Sequence, residues 1–116
     1  MSTSFNANFD LTILSGQTSS SPISSSYYHD AASLIIYAPT TLPETVKVEV
    51  HYNPDATGAE ADWKNLVDSA GVDIPSPLAD KARWYPEIPP TGAFRLTAGG
   101  AVGSDRLFRV TKNFTV

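Results

Sequence analysis

Apolar and polar residues alternate most cleanly between Val46 and Asn53. Val46, Val48, Val50 and Tyr52 share one side of an extended backbone, and Lys47, Glu49, His51 and Asn53 share the other. A two-residue period predicts a strand with one face against a core. Phe9, Leu11 and Ile13 repeat the pattern against Asp10 and Thr12. Residues 32–38 form a compact β-branched and aromatic run, which predicts a buried strand. Pro39 and Pro43 bracket a turn after it, and Asn53-Pro54-Asp55-Ala56-Thr57-Gly58 carries strong turn chemistry. Phe94 and Leu96 point inward in a further strand over residues 93–97. Phe108, Val110, Phe114 and Val116 share a face of the last one, which Lys112 interrupts at an open strand end or a bulge.

Other stretches are less regular. Residues 15–26 are a Ser/Thr-rich tract, read as a loop or a strand edge dressed with hydroxyls. Over residues 59–70, Trp63, Leu66, Val67 and Ala70 fit helical spacing, with Gly71 as a C-cap. A short strand at residues 63–66 would instead complete a hairpin with the Val46–Tyr52 stretch. Both readings stay open, with the hairpin preferred. Residues 74–90 hold Pro75, Pro77, Pro86, Pro89 and Pro90, so an extended connection or edge strand is expected. Six to eight short strands with a turn signal every ten residues or so predict an all-β fold. We expect a single antiparallel β-sandwich or jelly-roll-like domain over residues 9–116, preceded by an extended N-terminal arm over residues 1–8.

Composition narrows the function. Cysteine is absent from the 116 residues, which removes disulfide frameworks, thiolate metal sites and cysteine nucleophiles. Residues 1–4 have neither a positive side chain nor an apolar stretch, so no signal peptide is expected. The longest apolar run, residues 34–38, is far too short for a membrane span, and no membrane partner is expected. A net charge of −4 argues against nucleic acid as a partner. That charge is uneven. Residues 1–80 hold ten acids against Lys47 and Lys64, whereas residues 81–116 hold six bases against Glu87 and Asp105. If the halves survive as faces, copies would meet with complementary potential. The alternative is scatter over a solvated surface.

Candidate chemistry is sparse. Asp30, His51 and any of thirteen serines would compose a hydrolytic triad, but no Gly-x-Ser-x-Gly elbow presents one. Asn53, Asp55, Thr57 and Gly58 have the spacing of positions one, three, five and six of a calcium loop, yet the twelfth position is Lys64, which repels a cation. A looser carboxylate site from Asp55, Glu60 and Asp62 competes with a solvated acidic hairpin. Gly100 and Gly103 match two glycines of a dinucleotide fingerprint, but Ala98 stands at the first and no helix pattern follows. Neither an enzyme nor a resident cofactor or metal is expected. Trp63, Trp84, Tyr85, Tyr27 and Tyr28 have the amphipathic rings of a sugar-stacking platform or a protein interface. Trp63 is read as core. Trp84 and Tyr85, in the proline-rich connection, are read as interfacial anchors, with Arg83 and Arg106 as charge-pairing contacts.

The order of segments resembles small β-sandwich virion proteins of tailed bacteriophages. The resemblance rests on Leu34-Ile35-Ile36-Tyr37-Ala38-Pro39 running into Thr45-Val46-Lys47-Val48-Glu49-Val50, then Trp63-Lys64-Asn65-Leu66, Phe94-Arg95-Leu96 and Arg106-Leu107-Phe108-Arg109-Val110, across roughly residues 30–110. It implies a non-enzymatic role in the virion. The expected protein is a head decoration or cement protein, or a head–tail or tail component, that contacts the major capsid or another virion protein in many copies, as a homodimer or homotrimer. A carbohydrate- or receptor-binding module on the same sandwich is the competing expectation.

Overall fold

The computed structural model describes residues 8–114. Most of the expected arm over residues 1–8 therefore lies outside the described residues, as does Val116. Eight strands follow in order: β1 (Asn8–Ile13), β2 (Ile23–Ser24), β3 (Ser33–Tyr37), β4 (Val46–His51), β5 (Lys64–Asn65), β6 (Ala82–Tyr85), β7 (Ala93–Ala98) and β8 (Arg106–Asn113). They build two four-stranded antiparallel sheets, ordered β1-β8-β3-β6 and β2-β7-β4-β5. Each strand pairs with its counterpart counted from the other end of the chain: β1 with β8, β2 with β7, β3 with β6, β4 with β5. The pairings are those of one long hairpin wrapped over two layers, joined within the sheets by β3–β8 and β4–β7.

The core lies between the layers. Leu11, Ile13, Leu34, Ile36, Phe108 and Val110 enter it from the first sheet, and Val46, Val48, Phe94 and Leu96 from the second, all buried. Full burial of such a side chain contributes about 1.5–3 kcal/mol. The alternation of the sequence becomes the alternation of inner and outer faces.

Four local expectations resolve here. Residues 59–70 contain β5, which closes the hairpin on β4 at Glu49–Asn65 and Val50–Lys64, and the helical reading is overturned. Residues 82–85 form an edge strand, so the proline-rich stretch supplies both connection and edge. The serine tract is a hydroxyl-stitched edge. Buried Ser20 exchanges backbone and side-chain hydrogen bonds with Leu96, and Ser19 Oγ donates to Thr97 Oγ1. Around Lys112 the β8 pairing runs one to one through Asn113, so the interrupted face marks an open end. There Lys112 Nζ meets Asp30 at 3.3 Å.

Candidate functional site

The two layers present different outer surfaces. On the first sheet, strand pairing lines residues up in rows across all four strands. Asp10, Arg109, Tyr37 and Ala82 form one row, and Asn8, Thr111, Ile35 and Trp84 the next; Thr12 and Leu107 begin a third. Tyr37, Trp84 and Leu107 are 44%, 57% and 46% exposed, a concentration of apolar area on one sheet face. Trp84 is held rigid, since its indole Nε1 donates to Ser33 Oγ at 2.6 Å, which also accepts from Asn113 Nδ2. Asp10 and Arg109 are the charged strand residues on this face among the described residues, and they pair at 3.0 Å.

The second sheet covers its own outer face. Arg95 and Glu49 pair at 2.8 Å, and the Arg95 guanidinium also donates to Gly58 O and lies 4.5 Å from the Trp63 ring centroid. Trp63 is thus half-buried on the outside, not in the core as expected. It caps Arg95, and its Nε1 donates to Thr57 O. His51, expected on a solvated face, is buried beneath this loop. Its Nδ1 accepts from Asn53 N–H and its Nε2 lies 2.9 Å from Ala61 O, an arrangement that places the proton on Nε2. Tyr52, expected to point inward, is 79% exposed, because the chain bends after His51 and lays its ring on the imidazole instead.

The four expected contact residues separate accordingly. Trp84 stands on the bare face. Arg83 points toward the sandwich edge, where it pairs with Glu87 at 3.4 Å and covers the Tyr85 ring at 4.3 Å. Tyr85 is fully buried, because in a strand the residue after an outward Trp84 must point inward; its hydroxyl donates to Pro75 O. Burial raises its phenol pKa to about 12. Arg106 is 7% exposed, forks onto both oxygens of Glu44 and donates to Ser104 Oγ, so it closes one end of the core. The hydrogen bond from Arg106 lowers the Glu44 pKa and raises its own.

The uneven charge is consumed inside the molecule. Arg95, Arg106, Arg109 and Lys112 pair with Glu49, Glu44, Asp10 and Asp30, joining the basic C-terminal third to the acidic remainder. Four of the six bases of residues 81–116 are thus paired with acids of residues 1–80 rather than left to form a separate basic face. The five-ring platform does not form, since Tyr28 and Tyr85 are in the core and Trp63 caps its own sheet. Among the described residues no three His, Asp or Glu side chains gather to hold a metal, so Asp55, Glu60 and Asp62 do not form the looser carboxylate site. Tyr37, Ile35 and Leu107 escaped singling out as surface residues. Their signal was present in the outward parity of two adjacent strands, which becomes readable only once β3 and β8 are known to be neighbours. Comparison of the chain with protein-family models, with curated proteins and with solved structures finds no match.

Proposed function

We propose that the chain is a non-enzymatic virion structural protein of a tailed bacteriophage, a head decoration or cement protein that stabilises the shell through repeated protein–protein contacts. The observation that carries this reading is the rigid apolar outer face of the first sheet, with Trp84, Tyr37 and Leu107 exposed beside a neutral charge pair. Such a surface suits burial against protein: aromatic rings anchor contacts, and a paired charge leaves nothing to desolvate alone. The wrapped-hairpin pairing adds support. We read it as a jelly roll, an architecture used by viral capsid and lectin domains. Many weak contacts of this kind on one lattice sum to a strong attachment. The same face would serve at a head–tail or tail position.

Virions purified on a density gradient test the proposal. Quantitative mass spectrometry should find the chain in many copies per particle, and particles lacking it should release their genome at a lower temperature. Its absence from purified particles overturns the reading.

A further inference from the structure

We infer that the open edge of β1 takes up an extended polypeptide segment of another virion protein as an added strand. The inference deepens the proposed contact role and rests on it for the source of that segment. In the order β1-β8-β3-β6, β1 has a neighbour on one side only. The ladder tells which of its backbone groups face the empty side. Ala38 N–H donates to Lys81 O, so that pair is a hydrogen-bonded one, and bonded pairs alternate along antiparallel strands. Counting from it across the register, Ile36 bonds to β6, Ile35 and Tyr37 bond to β8, and Phe108 and Val110 bond to β1. Phe9, Leu11 and Ile13 therefore use their N–H and C=O groups on β8, and those of Asn8, Asp10 and Thr12 point outward. No other described segment hydrogen-bonds to that row.

The other sheet edges are blunted. β2 and β5 are two residues long, and β6 is four residues long and ends against Pro86. β1 runs six residues without proline, lysine or a bulge, and its charged residue, Asp10, is paired with Arg109. Short strands, prolines, lysines and bulges are the devices that keep edges from pairing, and β1 has none of them. A row of unpaired N–H and C=O groups at strand spacing is matched by one kind of occupant, another extended backbone. A sugar, a lipid or a flat folded face cannot satisfy both groups in that alternation. A second copy is the poorer strand. A two-fold pairing that overlaps the whole row sets Asp10 beside its own counterpart, and like charges directly opposite destabilise a strand pair. The favoured segment carries a cation opposite Asp10 and apolar residues beside half-buried Phe9 and buried Leu11. Near Thr12 it reaches a groove of about 490 Å³ whose walls include Gln17, Thr18, Ser21 and Arg95, so a hydroxyl side chain fits there.

The peptide Lys-Thr-Val-Lys-Val-Thr-Lys, laid antiparallel, puts its central lysine opposite Asp10 and its valines opposite Phe9 and Leu11. Hydrogen exchange of the full chain, followed amide by amide by NMR, reads its uptake. In the free chain Asn8, Asp10 and Thr12 should exchange fast, and Phe9, Leu11 and Ile13 slowly. Saturating peptide should slow the fast set about tenfold or more. The same peptide N-methylated at its threonines and central lysine, the positions that face β1, should not bind. Thr12→Pro removes an outward N–H and leaves the bonds to β8, so it should fold, checked by circular dichroism, and bind the peptide about tenfold more weakly. If that variant misfolds, the N-methylated peptide decides. Slow exchange at Asn8, Asp10 and Thr12 in the free chain, as when a second copy or the chain's own terminus fills the edge, would overturn the inference. So would a peptide that leaves these amides unprotected, or an N-methylated peptide that binds as well. Exchange mass spectrometry of purified virions separates this inference from the virion role. Protection by the peptide, with the chain absent from virions, keeps the strand site and removes the role. A chain present in virions whose β1 amides exchange as in the free chain does the reverse.

Discussion

The two outer faces of this sandwich solve the same problem differently. Both sheets must cover their cores, and each turns alternate side chains outward. The second sheet spends those positions on Arg95, Glu49 and His51, then folds the loop after β4 back over them so that Trp63 lies against Arg95 and His51. The first spends them on Ile35, Tyr37, Trp84 and Leu107 and adds no cover among the described residues. A face that satisfies itself contributes to folding. A face left apolar keeps that area exposed, the surface that the proposed virion contacts would bury. Mutations should therefore act on stability at the second sheet and on association at the first.

The largest effect is expected at Gly92, where the covered face depends on a close backbone approach. Its φ is +73°, and a Cβ there would meet the His51 carbonyl oxygen at 2.1 Å. Gly92→Ala must move either β7 or the end of β4, taking His51 and the loop above it along. A loss of about 3 kcal/mol or more is expected, read as a lower midpoint in urea unfolding. A variant as stable as the parent would show that the covered face tolerates the shift.

Next come two arginines that look alike in sequence. Arg95 and its partner Glu49 are 15% and 18% exposed, whereas Arg109 and Asp10 are 59% and 46% exposed. Arg95→Ala strands a mostly buried carboxylate and removes the support under Trp63, with an expected loss of about 2 kcal/mol. Arg109→Ala should change monomer stability by less than about 0.5 kcal/mol. Chemical unfolding of both variants at low protein concentration tests the contrast, and equal losses would abolish it.

These residues also show what was legible in advance. Strand periods exposed the inner faces, because burial on one side enforces a period of two regardless of neighbours. Thus Val46, Val48, Phe94, Leu96, Phe108 and Val110 were readable from spacing alone. The outer faces were not, because cover arrives from distant segments. His51 and Glu49 alternate as polar residues should, and nothing local says that a loop closes over them. Tyr85 misled for a related reason. Prolines around it suggested exposure, but parity within a four-residue strand decided its direction. Trp84, one residue earlier, was read as exposed from the same prolines, and the parity of β6 is what turns it outward.

A smaller effect on folding is expected from Trp84→Ala. The indole is more than half exposed, so its removal loses little burial and one hydrogen bond to Ser33, about 1 kcal/mol. Binding to virions that lack the chain should fall far more than stability. Co-sedimentation with such particles and thermal unfolding of the same samples separate the two, and parallel losses would make Trp84 a folding residue.

The smallest effect at neutral pH lies between the faces. Tyr85 projects inward from the first sheet and finds a carbonyl for its hydroxyl, whereas Tyr28 packs edge-on against Phe94 of the second, and its buried hydroxyl has no hydrogen-bond partner among the described residues. Tyr28→Phe removes that uncompensated group, so stability should rise by about 1 kcal/mol. Tyr85→Phe loses a satisfied bond and should fall by a similar amount. Alkaline pH sharpens the difference. Burial raises both phenols from 10.0 to about 12, which favours the neutral form in the folded state. Their contribution is complete below pH 10 and is lost as pH rises toward 12. The parent's melting temperature should decline across that window, and each Phe variant should decline less steeply because one fewer proton is released on unfolding. From pH 10 upward, Tyr28→Phe should thus pull further ahead of the parent. A gap that narrows instead would mean that the Tyr28 phenol ionises more easily in the folded chain than in the unfolded one.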